Sequence, residues 1–342
     1  MTLISAICLA ARKWEDPGYP ARSEAVDKTL QKENRFTEEA VAFAVNQQMS
    51  LLTEEALSEW AKELKTSNPT TVGVINPGNI AMVELQEFLA VVLSGHRYLG
   101  SLSSKSPYLF SAFLSEIRSC GGEPQATLVK QQDIFGRCQK LIASGTESTI
   151  QEIARRAEEG GIRPENCLFR SHRYSVSVLN GFEEEDVLVM LAEDALMHEG
   201  LGCRSTAVVF APSHMPIDPV LEAFAAHRGM FPAHPLTTKS LKMQQAYAEA
   251  IGLPNAYSED FQFLISKGEA AEQGPSHVRW VTYEKLDEVL EWLRANEDVL
   301  QCIYADERLH LVHPDWEPIG TAQRPSLTWK PDGKEHSAFL TI

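Results

Sequence analysis

The residue in this chain best suited to covalent chemistry is Cys203, in the stretch Glu199-Gly-Leu-Gly-Cys-Arg-Ser205 that leads into the apolar run Thr206–Ala211. Gly200 and Gly202 carry no side chains, so a substrate carbonyl can come close to the sulfur and to the neighbouring backbone N–H groups. Arg204, next in sequence, favours the thiolate, which is the attacking form. The same residues also suit a small buried hydrophobe, the usual fate of a reduced cysteine. On this segment alone both readings stand.

Other segments offer weaker chemistry. Ser144-Gly-Thr-Glu147 follows an apolar strand pattern and precedes a helix pattern, a junction where backbone N–H groups and the helix dipole favour a cofactor phosphate. Ser144 and Glu147 also have capping-box spacing, so an ordinary capped helix explains them equally well. Asn76-Pro-Gly-Asn79 presents the Asn79 amide as a donor, or is a plain β-turn. Among ten histidines, His198, five residues before Cys203, and His172, just before the strand Val176–Leu179, are candidates to tune the thiol or carry a proton. His310 and His313 fall in a strand-like stretch that sends them to opposite faces, which argues against a shared metal site. Arg170 and Arg173 suit a phosphate or, by default, surface pairing. Neither G-x-G-x-x-G nor a Walker lysine motif is present.

The elements that must position these residues alternate. Two helices fill 38–65, each announced by Thr-Glu-Glu-Ala. Strand patterns at Thr71–Ile75, Arg97–Leu102 and Lys140–Ala143 alternate with helices at Val83–Leu93, from Pro107, and after Ser144. The pattern restarts near Cys167, with strands at Val176–Leu179, Val208–Ala211 and Val278–Thr282. Helices open at Glu183–Asp186, span 217–229 and 237–251, and occupy Leu286–Leu293. Such alternation implies parallel sheets. The last stretch, 318–342, reads as an irregular or hairpin-like return.

Composition limits the partners. The chain has 342 residues, 44% hydrophobic and 23% charged, with net charge -16. That suits a globular protein with a sizeable core and argues against a nucleic-acid partner. Six cysteines without a C-x-x-C pair read as thiols of a reducing, cytoplasmic compartment. The apolar opening Met1–Ala11 lacks a basic leader region and is not expected to be a signal peptide. No later run is long enough to span a bilayer.

Taken in order, these segments resemble the acyl-CoA reductases of the bacterial luminescence (LuxC-like) type, within the aldehyde dehydrogenase superfamily. The resemblance runs from about Asn34 to Leu340. It is carried by Asn34–Glu38, Val72–Ile80, Leu93–His96 with Leu102–Lys105, Ala143–Glu147, Arg170–Leu179, Gly200–Ser205, and Gly320–Pro325 with Asp332-Gly333. It implies an α/β fold of two Rossmann-like domains with an active-site cleft between them. The organisation it implies is a helical segment (1–68) leading into a dinucleotide-binding domain (69–166), a catalytic domain (167–317) and a return and oligomerisation segment (318–342). The implied reaction is NADPH-dependent reduction of a long-chain fatty acyl-CoA, NADH being the alternative donor. In it Cys203 is the nucleophile, with its own N–H and Asn79 as oxyanion donors; His172 stays a candidate accessory group on its place in the chain alone. Ser144, Gly145, Thr146 and Glu147 form the cofactor loop, with Ser101 and Ser103 beside it.

Two departures stand out. Phe169 and Arg170 occupy the place of the glutamate base of aldehyde-oxidising relatives, and Ser101 replaces a lysine that contacts the cofactor. The resemblance also implies an acyl-CoA or acyl-protein thioester substrate, a homo-oligomer and an acyl-protein synthetase as partner. A CoA-acylating aldehyde dehydrogenase for shorter chains, and a weakly active thioester-binding paralogue, stay open as alternatives.

Overall fold

The structure, a computed structural model, describes residues 1–310, 313 and 316–341. The chain forms two compact units, Met1–His172 with Ser326–Ile342, and Arg173–Pro325.

The first unit begins with four helices, α1 (Leu3–Trp14), α2 (Pro20–Leu30), α3 (Glu38–Leu51) and α4 (Glu54–Leu64). Thr37 and Thr53 cap α3 and α4 as the Thr-Glu-Glu-Ala signals require, each accepting a backbone N–H three residues on. The unit continues through β1 (Thr71–Ile75), α5 (Glu84–Leu93), β2 (Arg97–Ser101), α6 (Leu109–Ser119), β3 (Ala126–Leu128), β4 (Lys140–Ser144), α7 (Glu147–Glu159) and β5 (Cys167–Arg170). Its five strands lie in the order β3-β2-β1-β4-β5, and every pair is parallel.

Alternate residues serve opposite faces of this sheet. Val72, Val74, Tyr98 and Ile142 join the core built with α1, α3, α4, α5 and α6. Ile75, Leu99, Leu141 and Ala143 join Ile150, Ile153 and Ala157 of α7. A one-residue slip of any strand would exchange the two sets, so burial fixes the register.

The second unit contains β6 (Tyr174–Val178), α8 (Glu185–Leu196), β7 (Thr206–Pro212), α9 (Asp218–Met230), α10 (Pro235–Ala250), β8 (Asn255–Tyr257), β9 (Leu264–Lys267), β10 (His277–Tyr283), α11 (Leu286–Ala295), β11 (Leu300–Ala305), the short α12 (Glu307–His310) and β12 (Glu317–Pro318). Its sheet runs β12-β11-β6-β7-β10-β9-β8 and is parallel except for the β8/β9 edge. Val176, Val178, Val208 and Phe210 pack with Val289 and Leu293 of α11.

Several expectations change. Cys167–Arg170 pairs with β4 in the first sheet, so the units divide at 172/173 and not at 166/167. The stretch 309–313 does not begin as a strand, because Glu307–His310 is a helical turn; Leu311 and Val312 lie outside the described residues. The tail is no hairpin. Pro318–Pro325 stays with the second unit, and Ser326–Ile342, ending in α13 (His336–Leu340), returns to the first.

Polar anchors hold that return. Gln86 donates to the carbonyls of Leu327 and Trp329, Lys140 to Phe339 and Lys334 to Phe169. His96 meets the Leu340 carbonyl at 2.8 Å. Among the described residues no helix is long and apolar enough to cross a membrane.

Candidate active site

Cys203 lies on the turn between α8 and β7. It is half-buried, whereas Cys8, Cys120, Cys138 and Cys302 are buried. The turn opens with three successive left-handed residues, His198 (φ 53), Glu199 (φ 60) and Gly200 (φ 66). The first two are conformations that non-glycine residues adopt at a cost of about 1 kcal/mol or more each. A Cβ on Gly200 would sit 2.9 Å from the Ala195 carbonyl, so only glycine fits there.

Glu199 offsets this strain. Its buried carboxylate pairs with Arg228 at 3.4 Å and accepts from the His234 N–H (3.2 Å) and the Ser276 hydroxyl (3.4 Å). Its carbonyl accepts the Ser276 N–H, and Arg228 donates to the Ser276 hydroxyl at 2.5 Å. Glu199 is thereby tied to α9, to the start of α10 and to the segment entering β10. On the other side of the cysteine, the buried Ser175 hydroxyl donates to the Cys203 carbonyl at 2.8 Å and accepts the Cys302 N–H at 3.1 Å. The turn is bolted at both ends, leaving the thiol-bearing residue partly open.

The charge near the cysteine is arranged differently from the sequence reading. The Arg204 guanidinium is engaged by Glu317 at 2.7 Å and by the carbonyls of Thr321 and Ala322, with the Cys302 sulfur at 3.3 Å. Its positive charge is thus paired with a carboxylate. Cys302 itself stays a thiol, since burial pushes it up to about 12.

The Gly320–Pro325 motif serves this loop as well. Asp194 accepts the N–H groups of Gly320 and Ala322, and Gln323 donates to the Asp194 carbonyl and the Ser205 hydroxyl. Burial pushes His198 down to about 4, so its imidazole is neutral at physiological pH. His172 is exposed at the end of the first unit, just beyond β5.

In the first unit, the strand order places a topological switch between β1 and β4, where ligands bind beyond the carboxyl ends of the strands. The expected residues gather there. Asn76–Asn79 follow β1, and Gly145 and Thr146 join Ser144, the last residue of β4, to Glu147, the first of α7. Asn76 donates to the Tyr98 hydroxyl and the Ser101 carbonyl, and its amide oxygen is buried with no protein partner. A Cβ on Gly78 would meet the Ser103 hydroxyl at 2.0 Å, so the loops after β1 and β2 touch. Ser103 is half-buried, while Ser101 is buried and serves the loop through its carbonyl. Lys105 stands exposed beyond it, and the Asn79 amide oxygen is buried.

The Ser144/Glu147 capping box does not form. Thr146 is the cap, accepting the Thr149 N–H, while Glu147 holds Gln151. The Gly145 N–H is spent on the Arg170 carbonyl. Arg170 is not at the surface either: it is buried against Glu87, with His336 3.2 Å away. Burial, together with the Arg170 charge, pushes His336 down to about 3. Phe169 packs into the α7 core. No cluster able to hold a metal occurs among the described residues.

Glu199, Arg228, Ser276 and Ser175 were not singled out by sequence reasoning. Only Glu199, an acidic residue before the glycines, carried a local signal; the others reach the loop from distant segments.

No family model and no curated protein matches the chain. Solved structures do. A NAD-dependent benzaldehyde dehydrogenase from Corynebacterium glutamicum aligns with a TM-score of 0.69 at 12% identity, covering 94% of this chain and 82% of that one. Succinic semialdehyde dehydrogenase from Streptococcus pyogenes, in complex with NADP+, gives 0.66 at 14% identity over 92% and 80%. Methylmalonate-semialdehyde dehydrogenase from Oceanimonas doudoroffii gives 0.72 at 12% identity over 96% and 79%. At these identities the likeness establishes the architecture, and the chain has the aldehyde dehydrogenase fold.

Proposed function

We propose that the chain is a nicotinamide-dependent oxidoreductase that reduces a long-chain fatty acyl-CoA to the aldehyde, with NADPH as hydride donor. The observation that carries this reading is Cys203 itself: a half-buried cysteine on a strained turn that a buried carboxylate and a buried serine hold in place.

In this reading the Cys203 sulfur attacks the thioester carbonyl, and the bond to the coenzyme A sulfur breaks. The departing thiolate takes up the proton that the cysteine gave up, leaving an acyl-enzyme. The Cys203 N–H is the first oxyanion donor, and the Asn79 carboxamide carries over from the resemblance as the second. A bound reduced nicotinamide supplies the hydride that converts the acyl-enzyme to aldehyde. Cys203 leaves as thiolate and regains a proton from solvent, with His172 the candidate carrier.

Arg170 and Phe169 stand where oxidising relatives carry a base. Neither activates water, which favours survival of the acyl-enzyme. The carboxyl ends of β1 and β4 suit a dinucleotide: Asn76 leaves a buried amide oxygen, the start of α7 follows β4 through Ser144–Thr146, and Ser103 of the next loop lies against Gly78. Lys105 is the nearby cation in place of the lysine that Ser101 lacks.

The test is intact-protein mass after mixing with palmitoyl-CoA in the absence of NADPH. A gain of one palmitoyl group, mapped to Cys203, absent from Cys203→Ala and discharged as hexadecanal on adding NADPH, is the expected result. Acylation elsewhere, or none, overturns the assignment. An adduct that NADPH and NADH both fail to discharge points to the thioester-binding alternative.

A further inference from the structure

The second sheet is covered unevenly on the face that carries α11. In that sheet β7 and β6 separate β10 from β11, so the crossover helix α11 lies over those two strands, where Val289 and Leu293 pack with Val208 and Phe210. The carboxyl end of β10 is left between α11 and the bend at 268–270, and a cavity of about 420 Å³ opens there. That is the size of a small-molecule site. Phe210, Val281, Val289 and Trp292 form its apolar wall, with the rings of Phe210 and Trp292 meeting at 5.0 Å and 56°. The Tyr283 hydroxyl, also at the wall, is spent on the Leu179 carbonyl at 2.6 Å. Two exposed carboxylates, Glu269 of the bend and Glu288 of α11, complete the lining. Neither has an ion-pair partner among the described residues.

We propose that this cavity is a second binding site, for a small aromatic amine whose ring fills the apolar space and whose protonated nitrogen is held by Glu269 and Glu288. The argument for this occupant is charge and hydrogen-bond complementarity. Ionised carboxylates accept hydrogen bonds and donate none, so the two select a ligand that donates and carries positive charge. Glu288 Oε2 takes the Glu284 N–H at 3.2 Å, which leaves its other oxygen for the ligand. The aromatic wall suits both the ring and the flank of the cation. The net charge of -16 enriches cations around the chain and disfavours anions such as a coenzyme A thioester. The cavity is also remote from the reacting sulfur. Cys203 precedes Thr206, the first residue of β7, and about 13 Å of strand separates Thr206 from Phe210. This assignment therefore does not depend on the chemistry of Cys203.

Isothermal titration and ligand-observed NMR with tryptamine as the probe test it, beside tryptophol (the neutral alcohol) and indole-3-propionate (the anion) as matched indoles. Tryptamine should bind with a dissociation constant of about 0.1–1 mM, as ligand efficiency allows for so small a molecule. Tryptophol should bind about fivefold more weakly, the share that two exposed carboxylates supply, and indole-3-propionate should not bind. Glu269→Gln/Glu288→Gln should bring tryptamine down to the level of tryptophol and leave tryptophol unchanged. Ala270, half-buried at the bend, packs against the core under α11 and lines the cavity. Ala270→Trp should fill the space and abolish binding without lowering the melting temperature. Cys203→Ala should bind as wild type does. No binding of tryptamine up to about 10 mM overturns the proposal. So does equal binding of tryptophol and tryptamine, binding that Ala270→Trp leaves untouched, or binding lost in Cys203→Ala.

Discussion

Replacing Glu199 with alanine removes the anchor of the nucleophile turn without touching the nucleophile. The substitution strips Arg228 of its carboxylate partner, and Arg228 is itself buried. It also deprives the His234 N–H and the Ser276 hydroxyl of an acceptor. Removing one partner of a buried ion pair costs about 3–5 kcal/mol. Here the contacts are long, and Arg228 keeps the Phe231 carbonyl and the Ser276 hydroxyl, so the lower end, about 3 kcal/mol, applies. For a domain of this size that lowers the melting temperature by about 6–12 °C. The turn should also lose its fixed left-handed conformation, so palmitoyl transfer to Cys203 slows by more than about tenfold from misplacement of the sulfur alone. Glu199→Gln keeps the shape and part of the hydrogen bonding, and should fall between. The assays are thermal denaturation by circular dichroism and the acylation rate by intact mass. A Glu199→Ala protein that melts within about 1 °C of wild type and acylates at the same rate would falsify the claim that this network holds the turn.

Two further outcomes test the first unit. Glu84 is fully buried, neither carboxyl oxygen has a protein partner, and burial raises it to about 8. A carboxyl whose folded value lies above its unfolded one contributes stability that is complete below pH of about 4.5 and lost as pH rises to about 8. The wild-type melting temperature should therefore fall across that window, and Glu84→Gln should flatten the fall; parallel curves for the two proteins contradict the assignment. Glu87→Ala should leave Arg170 and His336 without their carboxylate, costing about 3–5 kcal/mol and loosening Ser326–Ile342. Limited proteolysis should then cut within that segment well before the rest of the chain, and equal cleavage rates in variant and wild type would count against this role.

Much of the architecture was legible because it follows from local rules. The strands at Thr71, Lys140, Thr206 and His277 are short apolar runs, and the threonine caps at 37 and 53 act within one helical turn. What the local rules missed is equally instructive. Ser144 and Glu147 have the spacing of a cap, yet Thr146 takes the role because β4 extends through Ser144. Arg204 lies beside Cys203 in sequence, but its guanidinium goes to Glu317, a partner that only the return of the chain beside β11 supplies.

Residues 167–178 show most clearly where sequence ends. The second pattern is expected to restart near Cys167, and yet Cys167–Arg170 completes the first sheet while Tyr174–Val178 lies inside the second. Periodicity reports which residues seek burial. It does not report which sheet has a vacant edge, because that depends on strands far away along the chain. The sequence alone determined the alternating α/β pattern and a cysteine on a glycine-rich turn. Only the tertiary structure decided that Glu199, Arg228, Ser276 and Ser175, scattered over a hundred residues, would converge to hold that turn, since a buried charge must find its partner in space.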